Sequence, residues 1–229
     1  MRSAILGVCF ADDEARLVAF NRIAARLTHT DPKAECGALA IALAARCSMR
    51  GQVFDVFIAD LSRLAAAHNE AGAELVELAR RALASARAGE STPDFAQSIG
   101  CGKPVSGYMY HSVPTVLHAW FAHPGDYAAA VSAIIRCGGD TDTTAAMLGA
   151  IVGAGVGPAG IPQRWVDDLV EWPRTTAWME ALAREAARSA QSGQPGRARP
   201  LSIAGLALRN AGFFLLVLAH GLRRLLPPY

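Results

Sequence analysis

At 229 residues, 52% of them apolar and 18% charged, the chain has room for one domain with a sizeable core, with or without a tail, and is too apolar for disorder. The net charge of +2 hides an asymmetry: residues 1–185 carry 16 basic and 20 acidic groups, whereas six arginines and no acidic residue follow Glu185. A body at −4 argues against nucleic acid as the main partner, and five cysteines without a CxxC pair or a nearby histidine argue for reduced thiols and against zinc.

The opening Met1-Arg2-Ser3-Ala4-Ile5-Leu6-Gly7-Val8 is too short in its apolar part for a secretory signal, and Asp12 and Asp13 interrupt it, which leads us to expect a cytoplasmic protein. From there the pattern is helical nearly throughout. Asp12 or Asp13 can cap a first helix with Leu17, Phe20, Ala24 and Leu27 on one face. Asp31-Pro32, an N-cap followed by proline, opens a second helix that is apolar almost all round and is therefore expected at the centre. Further helical patterns cover about 52–67 and 70–88. Gly89, Pro93, Gly100, Gly102, Pro104 and Gly107 then mark a long irregular loop over 89–110. Helices are predicted again over about 112–122 and 127–136.

The run Cys137-Gly138-Gly139-Asp140-Thr141-Asp142-Thr143-Thr144 follows. Its carboxylates and hydroxyls are hard oxygen ligands of the kind that suit Mg²⁺, Mn²⁺ or Ca²⁺, and its glycines allow a sharp turn and close approach to a ligand. Asp and Thr are also ordinary N-caps, so capping is the competing explanation. The helix behind the run, to about residue 155, repeats Ala145, Gly149, Gly153 and Gly157 at every fourth position, and also Ala146, Ala150 and Ala154. At about 1 kcal/mol per glycine relative to alanine, this pattern predicts close backbone packing that would hold the acidic loop in the interior. Pro162 opens a segment with Trp165 and Leu169, and a core-type helix is expected over about 175–188. A Gly/Ser/Gln/Pro-rich linker covers 189–200. Residues 201–229 form an apolar segment whose longest charge-free run, between Arg209 and Arg223, is 13 residues, short of the roughly 18–20 a spanning helix needs. It suits a helix packed on the body or a second subunit, or an interfacial membrane helix with Arg223 and Arg224 at the headgroups.

Of the histidines, only His29, between a helix end and the Asp31 N-cap, has a suggestive position, and a dipole or capping role competes there. Tyr108, Tyr110 and His111 close the long loop, where they could stack on a flat ligand or pack in the core. No GxSxG, HExxH or P-loop motif occurs.

Gly138-Gly139-Asp140-Thr141-Asp142-Thr143, the small-residue helix ending in Gly153-Ala154-Gly155-Val156-Gly157, and Ile161-Pro162 together resemble the C-terminal signature of the ADP-ribosylglycohydrolase family, which includes the dinitrogenase reductase-activating glycohydrolases. The resemblance extends over residues 1–185 through Gly107-Tyr108, Leu27-Thr28-His29 and Met1-Arg2. It implies an all-α orthogonal bundle over residues 1–188 and hydrolysis of the glycosidic bond of ADP-ribose conjugates at a site with two Mg²⁺ or Mn²⁺ ions. By position it implies Asp140, Asp142 and Thr143 as metal ligands. It likewise implies His29, Tyr108, Gly138 and Gly139 as substrate-binding residues, with Met1-Arg2 at the end of a substrate loop. The family's N-terminal Gly-Asp and Ser/Thr-Asp-Asp motifs, which supply the remaining ligands and a catalytic carboxylate, have no counterpart here. The expectation is therefore a chain equivalent to the C-terminal two-thirds of a family member. It would be either a hydrolase dependent on the missing part or a non-catalytic ADP-ribose- or partner-binding remnant.

Overall fold

The computed structural model describes residues 1–101, 105 and 107–225; Gly102 and Pro104 of the expected loop, and the last four residues of the expected C-terminal segment, lie outside the described residues. Every regular element among the described residues is helical, as the sequence predicts. The chain divides into two compact units, Met1–Pro162 and Gln163–Tyr229.

The first unit is built around α3 (Pro32–Met49). Asp31 caps it by accepting the Lys33 backbone N–H at 2.9 Å, and Pro32 occupies the first turn. Alanines dominate its length, so neighbours can approach on every side, and twelve of its residues are buried. Around it stand α1 (Ala4–Cys9), α2 (Glu14–Arg26), α4 (Phe54–Ala65), α5 (Asn69–Arg87), α7 (Met109–Ala122) and α9 (Thr141–Val156). The approach of α1 is so tight that a Cβ on Gly7 would lie 1.8 Å from the Ala42 carbonyl oxygen. Aromatic edges fill the α4–α7 contact, where Trp120 meets Phe54 and Phe57 at ring distances of 5.0 and 5.3 Å. Finally, α8 (Tyr127–Arg136), capped by Asp126 on the Ala129 N–H, packs on α9.

In the first unit three expectations need correction. The segment 89–110 is not uniformly irregular: α6 (Thr92–Ser98) lies within it, with Ser91 as N-cap and Pro93 in the first turn, bracketed by the positive-φ residues Gly89 and Gly100. On α2, Leu17 is fully buried, but Phe20 and the C-cap Leu27 are 45% and 74% exposed, because the buried face runs through Leu17 and Asn21 while Phe20 stacks on Phe10 at 4.8 Å. On α9, Gly149 and Gly153 do meet a close neighbour, the Tyr127 ring, but Ala146 and Ala150 face outward. The acidic loop consequently lies at the surface, with Asp142 exposed and Asp140 half-buried.

In the second unit α10 (Gln163–Asp167) is short, and α11 (Thr176–Ser192) is capped by the Thr175 hydroxyl and ended by left-handed Gly193. Every residue of α11 is at least partly exposed, so it is a surface helix rather than the core-type helix expected, and it takes in residues 189–192 of the glycine-rich stretch. The last helix, α12 (Ile203–Leu225), buries only Gly205.

Candidate functional site

A cleft of about 560 Å³ opens in the first unit where the start of the chain, the end of α2, and the N-terminal parts of α3, α7 and α9 converge. It brings together Arg2, His29, Tyr108 and Thr143, four of the positions the sequence singles out. Gly37, on its α3 wall, lets α7 close in: a Cβ there would lie 2.3 Å from Met109 Sδ.

One wall is a polar chain. Arg2 Nη2 donates to Thr28 Oγ1 at 3.0 Å, and His29 Nδ1 lies 2.9 Å from the same oxygen. The Thr28 hydroxyl also lies 3.5 Å from the Ala25 carbonyl oxygen. Asp31 also lines the cleft, but its carboxylate is engaged in capping α3.

The opposite wall separates two tyrosines that sequence alone leaves equivalent. Tyr110 is buried and its hydroxyl donates to the Ala71 carbonyl, whereas Tyr108 is 46% exposed on the cleft. Lys33 Nζ donates to the Tyr108 hydroxyl and to Glu74, both at 3.1 Å, and lies 4.4 Å from the centre of the Tyr110 ring. These contacts push the Lys33 pKa up, the Tyr108 hydrogen bond being the largest cause and Glu74 the next. Lys33 and Glu74 are contributions that sequence reasoning missed: they are ordinary surface residues until α3, α5 and α7 are packed together.

The acidic loop borders this cleft through Thr143. Gly138 and Gly139 both have positive φ (70° and 79°), and Asp140 N donates to the Val105 carbonyl at 3.2 Å. A Cβ on Gly139 would lie 1.9 Å from that oxygen, so the glycine meets the backbone of Val105. Neither Gly138 nor Gly139 is among the residues lining the cleft. Buried Thr144 fixes Asp140 from behind, its hydroxyl donating to the Asp140 carbonyl at 3.0 Å.

The contrast among N-caps bears on the capping explanation. Asp13, Asp31 and Asp126 each accept a backbone N–H from the helix they start, but Asp140, at the N-cap of α9, makes no side-chain cap bond. Its carboxylate points instead toward Gly107, where a Cβ would lie 3.6 Å from Oδ2. Asp140, Asp142 and Thr143 thus offer two carboxylates and a hydroxyl, a donor set that fits a hard divalent cation. Among the described residues no cluster of three or more His, Cys, Asp or Glu side chains joins them. Cys137, just before the loop, is no nucleophile at neutral pH, since burial pushes its pKa up to about 11.

These features define a protein whose described elements are all helical, with a cleft of about 560 Å³ bordered by an acidic Asp-Thr-Asp-Thr turn. The sequence model of the family described as ADP-ribosylglycohydrolase matches residues 1–196, and the chain belongs to that family. A protein of Archaeoglobus fulgidus described as uncharacterized is 28% identical over 170 residues, covering 74% of this chain and 52% of that protein. The chain thus spans about half the length of the curated relative it matches.

Proposed function

We propose that the chain is an ADP-ribosylglycohydrolase-type hydrolase acting in the cytoplasm on the glycosidic bond of an ADP-ribose conjugate, with Mg²⁺ or Mn²⁺ held in part by Asp140, Asp142 and Thr143. Family membership supports a hydrolase. The observation that carries the finer reading is the cleft that joins Arg2, His29, Tyr108 and Thr143 from separate segments of the chain. A hard cation at the acidic turn would supply a Lewis acid for ribose hydroxyls and for the charge of an oxocarbenium-like transition state. The remaining work falls to protein groups. Arg2 offers positive charge to a diphosphate, the exposed Tyr108 ring offers a face for a base, and the His29 ring offers a hydrogen-bond partner for a sugar hydroxyl. Free thiols at all five cysteines, four of them buried, support a reducing compartment.

Release of ADP-ribose from ADP-ribosylated arginine in Mn²⁺, followed by chromatography, tests this reading. Turnover is expected when a segment carrying the family's Gly-Asp and Ser/Thr-Asp-Asp motifs is supplied with the chain, and Asp140→Asn should abolish it. Because no third acidic or histidine side chain joins Asp140 and Asp142 among the described residues, a second reading is a module that binds ADP-ribose without cleaving it. Calorimetric binding of ADP-ribose without release from the conjugate would replace the first reading by the second.

A further inference from the structure

Helix α12 has 23 residues and is, by length and composition, apolar enough to cross a membrane, yet only 6% of its most apolar window is buried. At 100° per residue, Arg209, His220, Arg223 and Arg224 fall in a sector about 100° wide. Phe214, Leu218, Leu222 and Leu225 fall on the opposite side, while Phe213 and Leu216, 58% and 66% exposed, share the arginine sector. Contact with the rest of the second unit is made from the arginine side: Arg209 pairs with Glu171 at 3.1 Å, and Gly205 rests against the Trp172 ring. The apolar side is left uncovered, with Phe214 61%, Leu218 46% and Leu222 65% exposed.

We propose that α12 is a membrane-surface anchor, lying at the interface of an anionic bilayer with its apolar side in the acyl region and its arginines at the headgroups. Charge decides the partner. No acidic residue follows Glu185, and Arg197, Arg199, Arg223 and Arg224 are all exposed. A second copy of α12 could cover the apolar side but would leave the arginines facing solvent with no acidic partner on the helix. An anionic lipid surface satisfies both sides at once. Charge also sets the orientation. The stretch 210–222 between arginines is 13 residues, about 20 Å of helix against a hydrocarbon core of about 30 Å. Lying flat keeps Arg209 out of that core. This inference is independent of the hydrolase reading.

Flotation of the full chain tests it, using vesicles of phosphatidylcholine with and without phosphatidylglycerol. The chain is expected to float with the anionic vesicles. The double variant Arg223→Gln/Arg224→Gln should lower partitioning onto them by about thirtyfold, at about 1 kcal/mol per arginine. Leu218→Asp should abolish binding, with helical circular dichroism retained in both variants. Failure of the wild-type chain to float would overturn the proposal. So would flotation that resists carbonate and ignores the two arginines, the behaviour of a spanning helix. A stable dimer in light scattering that Leu218→Asp dissolves and that does not float would assign the apolar side to a second copy.

Discussion

Gly139 and Val105 meet backbone to backbone, and this contact joins the acidic turn to the segment leading into Tyr108. It combines positive φ with a position where a Cβ would fall 1.9 Å from a carbonyl oxygen. Gly139→Ala should therefore destabilise by about 2–4 kcal/mol, as strain and overpacking add. Gly89→Ala, at a similar φ of 77° but with open space around it, should cost only about 1 kcal/mol. Urea denaturation of the two variants side by side checks the difference.

Asp140 is held by its backbone while its carboxylate makes no cap bond, so Asp140→Asn should change stability by less than about 0.5 kcal/mol without metal. In millimolar Mn²⁺ the wild-type melting temperature should rise, and the variant should lose about tenfold or more in apparent affinity. A variant that responds to Mn²⁺ like wild type would remove Asp140 from the ligand set.

His118 provides a pH dependence whose sign follows from its surroundings. The ring is fully buried, stacked on Phe95 at 4.6 Å, with Nδ1 3.1 Å from Thr92 Oγ1 and Nε2 3.1 Å from Ser85 Oγ. Ser85 donates its own hydrogen to Glu90, so Nε2 donates to Ser85 and Nδ1 accepts from Thr92, a neutral ring with both nitrogens satisfied. Burial lowers its pKa to about 4. The unfolded chain takes up a proton near pH 6.5 and the folded chain does not. The stability contributed by the neutral ring is thus whole above about 6.5 and falls by up to about 1.4 kcal/mol per pH unit as pH drops toward 4. His118→Gln should be less stable at pH 7.5 but should lose less between pH 6.5 and 4.5. Urea midpoints across that range make the comparison.

Arg46 is a buried cation on α3, paired with Asp60 at 2.6 Å and Glu14 at 3.5 Å. Asp60→Ala should cost about 3 kcal/mol by leaving that charge undercompensated. Replacing Arg46 by Met, which removes the charge and keeps most of the volume, should cost less. Denaturant midpoints of the two single variants would show the order.

Sequence alone determined where the chain turns helical. Asp31-Pro32, Asp126 and Thr175 start α3, α8 and α11 through hydrogen bonds that span only two or three residues, so the information is local. The seven-residue α6 was missed: Ser91 and Pro93 are start signals of the same local kind, but the helix is too short for periodicity to reveal. The acidic turn was equally plain as a residue pattern, but its place at the surface was not. Tertiary structure alone decided which apolar faces are covered, burying Leu17 but leaving Phe20 and the apolar side of α12 open. It also separated Tyr108 from Tyr110, gave Gly139 a backbone partner in Val105, and gathered Arg2, His29, Tyr108 and Thr143 around one cleft. The physical reason is range. Caps and turns are satisfied by neighbours in sequence, whereas burial and a cleft are properties of surfaces brought together by packing α2, α3, α7 and α9.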